Sequence, residues 1–455
     1  SVSLLHGVTG SGKTEVYRRL AKQAIERRRQ ALILVPEVAL TPAVATRFRN
    51  TFGDRVALQH SGLSEGARHD QWHRIRSGNI DVVVGTRSAV FAPLPAVGLI
   101  VVDEEHDPSY KQEESPRYHG RDVAVMRGKQ AGALVVLGSA TPSLESCRHA
   151  ESGRYRGLRL TARVRRRPLP SVRLVDMREE FANHGPNVVL SEALSAGLAE
   201  RLSRQEQSLV LLNRRGFATS VFCRECSKSL ECPNCSVSLT FHRRGDLARC
   251  HYCGYARGRP SKCPGCAGRY LEQVGFGTER VEAEILERLP NARVARLDRD
   301  SVRRRGAAAR LLRRFARGEI DVLVGTQMVA KGHDFPRVTL VGVVSADVGL
   351  GVADFRAAER TFQLLTQVAG RAGRGEMAGE VIVQTLYPDH YSIRLACQQA
   401  YEPFFQEEMR FRESMRYPPV VALVNVVVRG MDSNATTKDA TLLAREVRGQ
   451  RGQFE

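Results

Sequence analysis

Residues 7–14 read Gly-Val-Thr-Gly-Ser-Gly-Lys-Thr and fit the pattern G-x-x-x-x-G-K-T. The apolar run Val2–Leu5 leads into it, and a helical pattern over Glu15–Gln30 leads out. Such a strand–loop–helix unit is built to hold phosphate. Its glycines let backbone N–H groups converge, and the helix N-terminus adds the positive end of its dipole. Gly7, Gly10 and Gly12 shape the loop, Lys13 is expected at the β- and γ-phosphates, and Thr14 at Mg²⁺. A strand followed at once by a helix belongs in a parallel sheet covered on both faces, so this one feature restricts the chain to the α/β class.

The first 150 residues keep that rhythm. Short β-rich runs (Ala31–Pro36, Val56–Leu58, Ile80–Gly85, Val97–Asp103, Ala133–Gly138) alternate with helical patterns. Residues 151–207 read as a connector and the start of a second lobe, with the basic run Arg163–Arg167, a strand-like Val172–Asp176 and a helix near Ser191–Arg204. A second α/β block spans 208–390, with strands at Ser208–Asn213, Val294–Leu297, Ile320–Gly325, Thr339–Ser345 and Gly379–Thr385. Residues 391–455 read as part of a further α+β domain. The blocks share an echo: Ile80-Asp81-Val82-Val83-Val84-Gly85-Thr86-Arg87 against Ile320-Asp321-Val322-Leu323-Val324-Gly325-Thr326-Gln327. Two similar domains are expected, each with a Gly-Thr loop at the carboxyl end of a strand, where α/β sheets bind ligands.

A phosphate loop needs acidic partners, and Leu99–Val102 runs straight into Asp103-Glu104-Glu105-His106. Asp103 is the expected Mg²⁺ partner and Glu104 the expected general base for water. Phosphoryl transfer also needs cations beyond Lys13. Gln367-Val368-Ala369-Gly370-Arg371-Ala372-Gly373-Arg374 offers Arg371 and Arg374, three apart, with Gln367 placed to orient water or sense the γ-phosphate.

Eight of ten cysteines lie between Cys223 and Cys266, in four C-x-x-C pairs: 223/226, 232/235, 250/253 and 263/266. Eight thiolates fill two tetrahedral four-cysteine sites, expected to be structural zinc, with iron–sulfur chemistry the alternative. Spacing leaves sequential, nested and interleaved connectivities open. Cys147 and Cys397 are left over, and thiol-bound metal implies a reducing cytosolic compartment. Phe241, His242, Arg243, Arg244, His251, Tyr252 and Tyr255 interleave rings with cations, which suits either base stacking or packing around the metals.

The chain of 455 residues carries 69 basic against 49 acidic side chains, net +20. That favours a polyanionic partner, nucleic acid most simply, although only eight of the basic residues are lysine, which is also the mark of a codon bias toward arginine. No run approaches the length of a membrane span. No paired-carboxylate nuclease constellation stands out. The first residue is Ser and a strand follows at once, so the chain is expected to begin inside a longer protein.

Together these elements resemble the superfamily 2 helicases, and within them the bacterial primosomal replication-restart helicases, along essentially the whole chain. Gly7–Thr14 is similar to the family's phosphate loop, 36–42 to motif Ia, Gly85–Ala89 to motif Ib and Asp103–His106 to its DEEH box. Gly138–Thr141 matches the motif that couples hydrolysis to DNA, and Leu212–Gly216 opens the second lobe. Residues 325–334 resemble motif V and 367–374 motif VI. The resemblance implies two RecA-like lobes, with an insertion at 221–270 binding two Zn²⁺ in a nested arrangement, 223/226 beside 263/266 and 232/235 beside 250/253. It makes Ser109–Asp122 a DNA-sensing aromatic loop. Thr86, Arg87, Tyr110, Lys111, Tyr118 and Thr326 are then the expected DNA-coupling residues, the tyrosines exposed for stacking. It further implies ATP-driven 3′-to-5′ movement on single-stranded and forked DNA, partners among primosome and single-strand-binding proteins, a monomer, and a bacterial cytoplasmic, nucleoid-associated location. The family's N-terminal DNA-binding domains have no counterpart here. Two rival readings are a nucleic-acid-stimulated ATPase that moves or remodels without unwinding, or acts on RNA, and a zinc-built binding scaffold with a vestigial ATP site.

Overall fold

A computed structural model describes the chain except for residues 37–40, 165–168, 186, 214–220, 224–229, 234–238, 243–246, 251–253, 259, 268–270, 274–276, 299–305, 327–328, 330–334, 351–353, 374–376, 425 and 451–455. Residues Ser1–Met409 form one compact unit and Arg410–Glu455 another.

The first unit holds two parallel sheets. In lobe 1 the strands are β1 (Val2–Gly7), β2 (Gln30–Leu34), β3 (Val56–Gln59), β4 (Val82–Gly85), β5 (Val97–Asp103), a small hairpin of β6 (Lys111–Gln112) and β7 (Tyr118–His119), then β8 (Leu134–Ser139) and β9 (Arg156–Leu160). Seven of them pair in the order β3-β4-β2-β5-β8-β1-β9. The helices are α1 (Lys13–Glu26), α2 (Thr41–Phe52), α3 (Glu65–Arg76), α4 (Gly120–Gln130) and α5 (Leu144–Glu151). The near-continuous apolar runs have a simple cause. Leu4, Leu32, Ile100 and Val135 enter one core, and their neighbours Leu5, Ile33, Val101 and Val136 enter the other, so both faces of these four strands are buried. Strand β9 lies in what the sequence reads as connector. It was hidden because it is an edge strand with four of its five residues exposed, so it carries little apolar signal. The chain crosses between the lobes after β9, and the next strand already belongs to lobe 2.

Lobe 2 contains β10 (Ser171–Asp176), α6 (Met177–His184), α7 (Glu192–Ser203) and β11 (Gln207–Leu212). The cysteine-rich insertion follows, with β12 (Val221–Cys223), β13 (Thr240–His242), β14 (Leu247–Arg249), β15 (Ala256–Gly258) and β16 (Leu271–Gln273). The lobe resumes with α8 (Thr278–Arg288), β17 (Val294–Leu297), α9 (Ala307–Ala316), β18 (Val322–Gly325), β19 (Val338–Val344), α10 (Ala357–Ala369), β20 (Glu380–Thr385), α11 (Tyr391–Cys397) and α12 (Tyr401–Ser414). Its sheet runs β10-β20-β19-β11-β18-β17.

The sequence echo is a structural equivalence. Gln30 and Gln207 each reach across their sheets to donate to the carbonyls of Ile80 and Ile320, both at 2.7 Å. Asp81 pairs with Arg55 at 2.7 Å and Asp321 with Arg293 at 2.5 Å. A Cβ on Gly85 or Gly325 would stand 2.2 Å or 2.7 Å from a neighbouring carbonyl, Gln59 or Leu297, so no larger residue fits at either strand end.

In the second unit, α13 (Ser433–Gly449) buries none of its residues. The expected α+β pattern is not met there: no strand forms among the described residues of 410–455. Leu423, Val424, Val426 and Val427 are exposed.

Candidate active site

The end of β1 turns into the phosphate loop, where Gly10 and Gly12 take φ of 83° and 89° and α1 starts at Lys13. Lys13 Nζ donates to the Gly7 carbonyl at 2.8 Å, so its charge lies across the loop mouth. Asp103 arrives from β5, with β8 between β5 and β1: Asp103 pairs with Gly138, and Ser139 with His6. Tyr17, fully buried on α1, donates to Asp103 Oδ1 at 3.0 Å. Its hydroxyl passes so close to Gly138 that a Cβ there would lie 1.7 Å from it, which explains that glycine. Burial first, then the Glu104 charge, raise the Asp103 carboxyl to about 6, with Lys13 pulling the other way. A divalent cation would relieve this crowding of adjacent carboxylates, so the residues present suit Mg²⁺.

Glu104 sits at φ 47°, the left-handed region that costs a residue with a Cβ about 1–2 kcal/mol. The turn sends the neighbouring acids different ways. Glu104 Oε2 is buried and has no hydrogen-bond partner among the described residues, 3.7 Å from His106 Nδ1. It is a base-like atom with a lone pair to spare. Glu105 turns fully inward and accepts from the Ser143 amide at 2.7 Å, from Ser146 Oγ at 2.9 Å and from Arg121 at 3.0 Å, so it builds structure instead. His106 Nδ1 hydrogen-bonds Ser139 Oγ at 2.7 Å, and Ser139 Oγ accepts from the Thr141 amide at 2.9 Å. The acidic turn and the Gly138–Thr141 turn are thereby one network.

From lobe 2, α10 ends beside the phosphate loop: a Cβ on Gly370 would lie 2.5 Å from Thr9 Cγ2. Gln367 is buried and Arg371 half-buried at that helix end, while Arg374 lies outside the described residues. The candidate sites of the two lobes thus meet.

The tyrosine loop corrects one expectation. Tyr110 is fully buried in the lobe 1 core, and its hydroxyl donates to the Asp103 carbonyl at 2.7 Å. It cannot stack on a base from there, because the short turn at Pro108–Tyr110 folds it back under β5. Arg87 is likewise engaged, its Nη1 donating to the carbonyls of Ser109 at 2.9 Å and Lys111 at 2.6 Å, so it holds the loop. Lys111 is exposed at the start of the β6–β7 hairpin, whose tip, 113–117, is exposed throughout. Tyr118 is half-buried and meets Phe91 edge-on at 5.1 Å. Phe91, 52% exposed, is the presented ring that motif reading missed. Its signal was only an apolar residue just past the Gly-Thr turn. Thr86 is buried at its turn and Thr326 half-buried at the equivalent one.

In the insertion, β12 pairs with β16, which brings the two ends of the segment together. Cys223, Cys263 and Cys266 place their sulfurs within 4.8 Å of one another, Cys223 to Cys266 at 3.5 Å. Tetrahedral Zn–S bonds of about 2.3 Å require sulfurs about 3.8 Å apart, so these three suit one metal. Cys232 and Cys250 are buried together with Leu230, Leu239 and Ala248 under the β13–β14–β15 sheet. Cys226, Cys235 and Cys253 lie outside the described residues. Burial pushes the Cys147 and Cys397 thiols up to about 11. No helix among the described residues is long and apolar enough to cross a membrane.

Comparison with known proteins agrees with this layout. Residues 2–150 match the DEAD/DEAH box helicase model, 232–257 the PriA DNA helicase Cys-rich region domain, and 274–376 the helicase conserved C-terminal domain. The helicase Lhr of Mycobacterium smegmatis, solved with ssDNA and AMP-PNP, superposes with a TM-score of 0.52 over 88% of this chain and 46% of its own, at 17% identity, a likeness of fold. The Replication restart protein PriA of Bacillus subtilis is 50% identical over 94% of this chain and 53% of its own length. That of Rickettsia felis is 38% identical over 97% of this chain and 68% of its own. The chain thus spans about half to two thirds of these relatives, and, with segments of both lobes and of the cysteine insertion matched, it belongs to the PriA family of replication restart proteins.

Proposed function

We propose that this chain is the motor of an ATP-dependent DNA helicase that acts at stalled or branched replication forks, moves 3′ to 5′ and supports reassembly of the replication machinery. One observation supports the reading: the phosphate loop, whose helix carries the Tyr17 that bonds Asp103, meets the helix end that carries Gln367 and Arg371 where Gly370 packs on Thr9. Lys13 holds the β- and γ-phosphates, Glu104 Oε2 takes the proton of the attacking water, and Arg371 and Arg374 face the charge that develops on the transferred group. Thr14 and Asp103 would hold Mg²⁺, which would supply positive charge to offset the negative charge of the phosphates. Closing the lobes assembles these groups and hydrolysis releases them, which alternates the grip on one strand. DNA is held mainly by its phosphates, without sequence preference. The insertion carries two structural zincs, Cys223, Cys226, Cys263 and Cys266 on one and Cys232, Cys235, Cys250 and Cys253 on the other, and it offers a platform for partner proteins or a fork arm. The proposed partners are primosome and single-strand-binding proteins, with the chain monomeric in the bacterial cytoplasm.

Steady-state ATPase activity with no nucleic acid, single-stranded DNA, a model fork or RNA, at two salt concentrations, tests this. Strong DNA stimulation that falls with salt and vanishes in Lys13→Ala is expected. No stimulation by any nucleic acid in a folded, ATP-binding chain would refute it, and equal stimulation by RNA would overturn the DNA assignment.

A further inference from the structure

The two lobes are joined by a seam away from the phosphates. Glu359 on α10 is buried, and its Oε1 accepts from the Leu144 amide, the first of α5 in lobe 1, at 3.1 Å. A carboxylate from one lobe thus caps a helix N-terminus of the other, where the free amides and the helix dipole both favour negative charge. One turn further along α10, Gln363 donates to the Thr141 carbonyl at 3.5 Å. One turn earlier, Arg356 pairs with Glu145 Oε1 at 2.6 Å. Tyr401 donates to the Pro142 carbonyl at 2.8 Å. The lobe 1 partners in these four bonds lie within 141–145, directly after Ser139 and its bond to His106.

This placement has a mechanical consequence. The segment 139–145 is bonded at one end to the acidic turn and at the other to α10. Helix α10 in turn carries Gln367 at its C-terminal end and leads directly into Gly370 and Arg371. A hydrogen-bonded helix of 13 residues moves as one piece, so what holds its first turns sets where its last turn sits. We propose that Glu359, backed by the Arg356–Glu145 pair, is a positioning residue that registers the Gln367–Arg371 end of α10 against the phosphate loop. Its Oε1 accepts from the Leu144 amide and, at 3.4 Å, from Gln363 Nε2, so it acts through α10. This inference rests on the ATPase reading above.

The seam makes contacts that matter when the lobes are closed, so its loss should lower turnover while leaving ground-state ATP binding, which belongs to lobe 1, in place. The test compares wild type, Glu359→Ala, Glu359→Gln and Arg356→Ala for DNA-stimulated kcat, KM for ATP and thermal melting. Glu359→Ala should lower stimulated kcat about tenfold or more with KM within twofold, and Glu359→Gln, which keeps an acceptor oxygen, should recover part of the loss. Arg356→Ala acts at the more exposed rim and keeps the idea testable if Glu359→Ala folds poorly. It should lower kcat several-fold at an unchanged KM. Full stimulated kcat in these variants overturns the proposal, as does a fall in melting temperature with kcat intact. Wild type that no DNA stimulates would instead overturn the ATPase reading, and the inference with it.

Discussion

Replacing Tyr110 with Phe removes one oxygen and keeps the ring. In the lobe 1 core that oxygen donates to the Asp103 carbonyl at 2.7 Å, and the ring has no exposure, so water cannot substitute. A buried acceptor that loses its donor costs about 1–3 kcal/mol. The carbonyl belongs to the residue expected to hold Mg²⁺ and leads directly into the strained Glu104. If the whole cost falls on the closed catalytic geometry, turnover drops by about 5- to 150-fold, at 1.36 kcal/mol per factor of ten. If it falls on global stability, melting shifts by a few degrees and turnover at low temperature does not change. DNA-stimulated ATPase assays and thermal melts on the same preparation separate the two. Tyr110→Phe that turns over within twofold of wild type would refute the claim that Tyr110 works from inside the core on the acidic turn. Tyr110→Ala is the weaker tool, since emptying a buried aromatic site adds about 3–5 kcal/mol of lost packing to the same lost bond.

Elemental analysis should find two zinc atoms per chain, with Cys223→Ser losing one and leaving the KM for ATP unchanged, because the phosphate loop lies in the other lobe; iron, or a single zinc in wild type, would contradict this. Phe91→Ala should weaken single-stranded DNA binding by about 1–3 kcal/mol while the slope of log affinity against log salt stays the same, because a stacked ring releases no counterion; anisotropy titrations at several salt concentrations check both. The seam should be acid-sensitive. Burial disfavours the Glu145 carboxylate, but the Arg356 and Arg121 guanidiniums outweigh burial and hold its carboxyl at about 2, against an ordinary 4.5. The folded state has the lower value, so its contribution, about 3 kcal/mol at most, is complete above pH 4.5 and fades as pH falls toward 2. The melting gap between wild type and Glu145→Gln should therefore narrow between pH 5 and pH 3, and a gap constant across that range would refute the assignment.

Much of the site was legible in the chain because its chemistry is local. A phosphate loop works through consecutive amides, so Gly7–Thr14 displays its function in eight letters. The Asp103-Glu104 pair needs only a strand end, and C-x-x-C spacing reflects how two thiolates on one turn reach one metal. The paired Gly85 and Gly325 could be read as an echo because a carbonyl of the neighbouring strand, Gln59 in one lobe and Leu297 in the other, excludes a side chain at each.

What the sequence left open is what depends on distant segments. Composition and motif cannot tell an exposed tyrosine from a buried one, and Tyr110 was decided by the packing of the sheet above it. An edge strand such as Arg156–Leu160 shows no apolar face, because only Leu160 of it packs against a core. Glu359 and the Leu144 amide lie 215 positions apart, and nothing in either stretch names the other. A buried carboxylate must find a donor, yet which donor it finds is set only when the two lobes meet, and it is there that the lobe seam is made.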